Sequence, residues 1–310
     1  VIAAAVALGA LALALAWPVP VALSRAEWPV RSPATALVLW QGIALGGGLS
    51  MIGALLAFGA SPAGSLSGAA DALIPVIAAG PIPEGFGVVH LAALTLAVGL
   101  AVHLALNLAT TAVRAERARR RQHRLIDLLA SPASASTGAR VLAHPVPAAY
   151  CVPGLRTATV ITDGLVDLLD DDELRAVVGH ERAHLDQLHH LVLLAFRAWH
   201  AALPWFPIAN RAERSVAMLT EMLADDAPRR RVGVEPLRTA LLRVGSSGAS
   251  AAYSDSPTAS AASDERVLER RLARLEADLH PLDPRARSAT WLLATAIVAV
   301  PVCVLAAIAA

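Results

Sequence analysis

Apolar residues fall into long unbroken runs near both ends of this chain and into helix-spaced stripes between them. The runs cover Val1 to Leu23, a stretch near Ala34 to Ala60, Phe86 to Thr111, and Ala289 to Ala310. Each reaches the roughly 20 residues that a helix needs to cross a hydrocarbon layer of about 30 Å. Pro18 and Pro20 mark the exit from the first run, and no basic residue precedes it, so a cleaved leader is not expected. Gly46, Gly47 and Gly48 suit close helix contact in the second. Between the second and third, Ser61 to Glu84 carries no basic residue, and its apolar piece Ala72 to Ala79 is too short to span and is expected to be interfacial or re-entrant.

The middle of the chain changes period. Arg140 to Leu165 alternates, is rich in Val and Thr, and lies between Pro and Gly breaks, which predicts a small hairpin or sheet. Asp171 to Leu185 has helical spacing, with Leu174, Val177 and Val178 on one stripe and acidic residues at its start, where Asp171 or Asp172 is placed to cap it. Leu191 to Trp205 continues as an apolar helix, read as packed or interfacial rather than spanning. Gly245 to Ser263 is Ser/Ala/Gly-rich, which predicts a flexible loop and a plausible cleavage site, and Asp264 to His280 resumes a helix with Leu268, Leu272, Leu275 and Leu279 on one stripe and arginines opposite. Pro281 and Pro284 break it. The fold class expected is a mainly α membrane protein, with four transmembrane helices and an α+β domain between spans three and four. Its divisions are 1–111, three spans with loops; 112–288, the domain, with a loop at 245–263; and 289–310, the fourth span.

Composition agrees with a bilayer as solvent: 56% of residues are hydrophobic and 16% charged, with mean hydropathy +0.56. The net charge of +1 argues against a direct nucleic-acid binder, which needs a folded face with excess base. Every basic residue is arginine, and the arginines set an orientation: Arg25 and Arg31, then the run Arg114 to Arg124, then Arg285 and Arg287 should all be cytoplasmic. That puts the N-terminus and the Ser61 to Glu84 loop outside and the domain inside. The two cysteines, Cys151 and Cys303, lie in the domain and in a span and imply no disulfide. His90, His103 and Asn107 are polar within the third span, and an interhelical hydrogen bond accounts for His103 and Asn107.

Candidate chemistry is concentrated in one helix. His180 and His184 stand four residues apart, one turn on one face, in the pattern H-E-x-x-H. Two imidazoles at that spacing can hold one Zn²⁺, with Glu181 beside the metal as general base. A third ligand is required, and Glu221 offers it from a second helix, with Asp225 one turn later to hold a ligand imidazole through its other nitrogen. His190 is the rival third ligand. The glycine that would turn the chain there is Gln187, so the helix is expected to continue and to carry His190 roughly 9 Å beyond His184. Glu221 is therefore preferred, and His189 and His190 are read as surface residues or as supports behind the ligands. Tyr150, His189 and His200 are the candidates for stabilising an oxyanion.

The segments Ala148 to Gly154, Thr159 to Leu165 and Glu173-Leu174 with the H-E-x-x-H resemble a gluzincin metallopeptidase. Leu203 to Pro207 and Glu221 to Asp225 resemble more narrowly the BlaR/MecR-type membrane sensor-transducer peptidases. That resemblance implies a multi-pass zinc endopeptidase of the bacterial inner membrane with one Zn²⁺ per chain. It would act on a protein substrate, a cytoplasmic repressor of the BlaI/MecI type, and on itself. No penicillin-binding sensor domain is expected after the fourth span, so a signal should enter through the spans, the outer loop or a partner, and a homo-oligomer stays open. The alternatives are an HtpX-like quality-control protease and a non-catalytic adaptor with a vestigial zinc site.

Overall fold

Proline and glycine decide how the apolar runs become helices. The computed structural model describes residues 1–77, 80–131, 138–154, 157–204, 207–246, 261–277 and 280–309. The first run forms α1 (Ile2–Ala16) and α2 (Pro18–Arg25), broken at Trp17 because Pro18 cannot donate back into the preceding turn. A short α3 (Trp28–Arg31) leads into α4 (Pro33–Gly59), and α5 (Leu66–Ile77) follows, too short to cross a bilayer. The third run does not stop at Thr111. It continues as α6 (Val88–Leu129), a single helix of 42 residues carrying the arginine run on its second half.

Four strands come next: β1 (Ala130–Ser131), β2 (Arg140–Leu142), β3 (Ala149–Val152) and β4 (Ala158–Thr162). Their order is β1-β2-β4-β3, with β2 parallel to β4 and the other pairs antiparallel, so β3 is an edge strand. The remaining helices are α7 (Asp163–Leu168), α8 (Asp171–Asp186), α9 (His189–Ala202), α10 (Pro207–Val232), α11 (Val234–Ser246), α12 (Ala261–Glu276) and α13 (Pro284–Ala309).

These elements form two compact units. One holds Val1–Thr110, Phe196–Ser215 and Leu282–Ala310; the other holds Thr111–Ala195 and Val216–Pro281. In the first unit α4 packs between α1 and α13. Close approach explains its glycines: a Cβ on Gly46 would lie 2.5 Å from both the side chain and the carbonyl of Ile297, and one on Gly42 3.0 Å from the Ala294 carbonyl. His103 bonds through Nε2 to the Ala202 carbonyl at 3.0 Å, and the Asn107 amide donates to the His103 carbonyl at 3.0 Å. Among the described residues four helical segments are long and apolar enough to cross a membrane: Ile2–Arg25, Pro33–Gly59, Val88–Leu129 and Pro284–Ala309.

The second unit wraps its helices round the sheet. Ile161, Leu165, Leu174, Val178 and Ala240 form one buried cluster joining β4, α7, α8 and α11, while Ile126 at the end of α6 packs on Val152 and Val160. Ala176, Leu237 and Leu275 form a third, which fixes α12 to α8 and α11. Of the expected leucine stripe, Leu275 is in this core and Leu279 lies outside the described residues, as does most of the expected loop at 245–263.

Candidate metal centre

The helix that carries the histidines begins at a cap one residue earlier than expected. Asp170, not Asp171 or Asp172, accepts from the backbone N–H of Asp172 and Glu173 at 3.0 and 2.9 Å, and Glu173 accepts in return from the Asp170 N–H at 3.1 Å. This reciprocal box satisfies otherwise unpaired donors. Buried Glu173 is also held by Arg243 of α11 at 2.8 Å, so the start of α8 is pinned to the domain core.

One turn apart on that helix, His180 and His184 turn their Nε2 atoms toward each other at 3.1 Å. Glu221 reaches in from α10, with Oε2 3.3 Å from His180 Nε2 and Oε1 3.4 Å from His184 Nε2. Zinc bound to nitrogen or oxygen at about 2.0–2.1 Å in a tetrahedron separates its ligands by about 3.3–3.4 Å. The separations from the imidazoles to the two Glu221 oxygens fall at that edge length and the one between the imidazoles is slightly shorter, so His180, His184 and Glu221 are close enough together to hold one small cation. Among the described residues they form the one group of three that could hold a metal.

Neighbouring groups fix the orientation of each ligand. The Nδ1–H of His180 donates to Asp225 at 2.8 Å, which leaves its Nε2 for the centre. His184 Nδ1 lies 3.0 Å from His189 Nδ1. The helix does not continue through Gln187 as expected. It ends at Asp186, and Leu188 takes a φ of +53°, a left-handed conformation that is unfavourable for a leucine. That break turns His189, only 2% exposed, back against His184, while His190 stays outside the group. The sequence gives no glycine to signal the turn. Arg271 of α12 is the residue that sequence reasoning missed: its Nη1 lies 3.1 Å from Glu221 Oε2, and its guanidinium forks onto both oxygens of Asp225 at 2.7 and 2.8 Å.

Charge follows from this packing. Burial disfavours a charged His180, yet its bonds to Asp225 and Glu221 outweigh that and hold it protonated up to about 10. Burial drives His184 down to about 3 and His189 down to about 4, so both are neutral. Burial works against ionised Asp225 and Glu221, but Arg271 and the histidines hold both carboxyls well below the ordinary range. A cation that displaced the His180 Nε2 proton would find both imidazoles neutral and Glu221 anionic, the states in which they bind metal.

Glu181, half-buried on the same helix, has its carboxyl raised to about 7 by burial and accepts a hydrogen bond from the backbone of Cys151 on β3. Edge strand β3 therefore lies against Glu181. Tyr150 lies on β3 beside Cys151, and His200 lies in the other unit, its Nδ1 3.6 Å from Glu213. Burial pushes the Cys151 thiol up to about 12, which leaves it unreactive as a nucleophile.

The sequence model of peptidase family M48 matches residues 112–229, which holds α8, α9 and the turns of α10 that bear Glu221 and Asp225. The match supports a metallopeptidase of a membrane type, and it does not single out the BlaR/MecR group. No curated protein and no solved structure matches the chain.

Proposed function

We propose that the chain is a membrane-anchored zinc endopeptidase of the inner membrane, with His180, His184 and Glu221 as ligands, Asp225 as the orienting carboxylate and Glu181 as general base. The observation that carries the reading is the convergence of two Nε2 atoms and one carboxylate within reach of one small cation, next to a half-buried carboxyl. Zinc bound there supplies Lewis acidity toward a scissile carbonyl. Glu181 takes the proton of the attacking water and passes it to the leaving amine, the work for which a carboxyl poised near neutrality is suited. An extended substrate would run along edge strand β3, which brings its backbone beside Glu181.

The four apolar helices anchor the protein in the bilayer, and the arginine run of α6 sets the catalytic unit on the cytoplasmic side. The resemblance to sensor-transducer peptidases in Leu203 to Pro207 and Glu221 to Asp225 favours a cytoplasmic repressor as substrate. The test uses purified protein in detergent with zinc and a candidate repressor. Glu181→Gln should lower cleavage by roughly 10² to 10⁴-fold while zinc binding is retained. Undiminished cleavage rejects the assignment of Glu181.

A further inference from the structure

Helical periodicity places the arginines of α12 opposite its leucines, on a face open to solvent. The structure turns two of them inward. Arg274 donates to the Met222 carbonyl at 2.9 Å and to Asp226 at 2.8 Å, and Arg271 reaches the metal site. The Arg271 side chain is 12% exposed, and its donors are divided between two carboxylates with different tasks. Nε and Nη2 fork onto Asp225, the carboxylate that orients His180. Nη1 meets Glu221 Oε2, the same oxygen that lies 3.3 Å from His180 Nε2. One oxygen of a metal-ligand carboxylate is thus shared with a fixed positive charge that no ordinary pH removes.

Two consequences of that contact oppose each other. Holding Glu221 and Asp225 in place prepares the ligand set, which favours metal binding. A guanidinium beside a dication, with little water between them, repels it and engages one of its ligand atoms. A dication against a monocation at close range, with the guanidinium itself largely withdrawn from water, outweighs the rotational freedom of one carboxylate. We propose that Arg271 is a built-in counter-cation of the metal centre: it balances Glu221 and Asp225 when no metal is bound and, by competing for Glu221 Oε2, lowers the affinity of the centre for divalent ions. Arg271 is a positioning residue in this scheme. It acts from α12, outside the stretch matched by the peptidase family.

This inference rests on the assignment of His180, His184 and Glu221 as a metal site, and the experiment separates the two. Zinc affinity is measured by competition with a chromophoric chelator on the full chain in detergent, for wild type, Arg271→Gln and Arg271→Lys. Thermal unfolding is followed with and without EDTA. Arg271→Gln should bind zinc about tenfold or more tightly, the usual scale of coupling between two sites, while its metal-free form melts lower and gains more from zinc than wild type does. Arg271→Lys, which keeps the charge, should bind closer to wild type. Arg271→Met carries the same test if the glutamine variant does not fold. Equal or weaker zinc binding by the neutral variants overturns the inference alone, and so does a lysine variant that behaves like the neutral ones. Wild type that binds no stoichiometric zinc overturns the metal site and the inference with it.

Discussion

Asp225→Asn is the most informative single change at this centre, because the structure shows what each oxygen of Asp225 does. Oδ1 accepts from His180 Nδ1 at 2.8 Å and from Arg271 Nη2 at 2.7 Å, and Oδ2 accepts from Arg271 Nε at 2.8 Å. Three donors converge on a residue only 1% exposed. Asparagine keeps the shape but brings one acceptor and a second set of donors. In its better orientation the amide nitrogen still faces Arg271 Nε, and in the other it faces both His180 and Nη2. An unsatisfied buried donor costs about 1–3 kcal/mol. Breaking a buried charge pair costs about 3–5 kcal/mol. Arg271 retains Glu221 at 3.1 Å, so the lower end of that range, about 3 kcal/mol, is expected for the metal-free protein. Zinc affinity should fall about 10- to 100-fold as the orienting acceptor of His180 changes from a charged carboxylate to a neutral amide oxygen. Denaturation in detergent and chelator competition measure the two effects. The neighbouring Asp226→Asn is the control: Asp226 pairs with Arg274, which also holds the Met222 carbonyl, and zinc affinity should not change. Asp225→Asn with wild-type stability and zinc affinity would refute the reasoning.

The pH dependence of the metal-free protein follows from the same groups. Burial keeps His184 and His189 neutral down to about 3 and 4, whereas the unfolded chain protonates them near 6.5, so acidification below 6.5 destabilises the fold. Glu181, raised by burial from 4.5 to about 7, works in the opposite sense, because the folded chain keeps a proton that the unfolded chain loses. Two imidazoles outweigh one carboxyl. Above 6.5 the unfolded chain releases the proton that folded His180 keeps up to about 10, so stability falls again as pH rises. Denaturation in EDTA should therefore show a maximum at about pH 6 to 6.5, and a profile that is monotonic from about pH 5 to 8 contradicts this charge assignment. In the apolar unit, Gly46→Ala places a methyl 2.5 Å from Ile297 and should destabilise by about 1–3 kcal/mol, whereas Gly47→Ala meets Leu15 at 3.6 Å and should be close to neutral by thermal unfolding in detergent.

The pattern alone located the apolar helices, because 20 or more mostly apolar residues without a charge need no partner to be read. It also located α8, because a capped, striped helix with two histidines one turn apart has its geometry built into its spacing. The small sheet near Arg140 to Leu165 was legible from alternation, but its order was not: that β3 lies at the edge beside Glu181 depends on pairings between distant residues. Where a helix stops without glycine or proline was hidden as well. The turn at Leu188 that brings His189 to His184 is a local strain that only the surrounding packing can hold.

What the sequence settles by itself is local: which stretches are helices, and which side chains share one helical face. The convergence of α8, α10 and α12 on one point belongs to the tertiary structure. Glu221 lies on a helix separate from the histidines, and Arg271 further along the chain still, on a face whose periodicity reads as solvated. No spacing rule reaches that far, because an arginine on an amphipathic helix looks the same whether it faces water or a buried carboxylate, and only the packing of Leu275 against Ala176 and Leu237 decides which face turns inward.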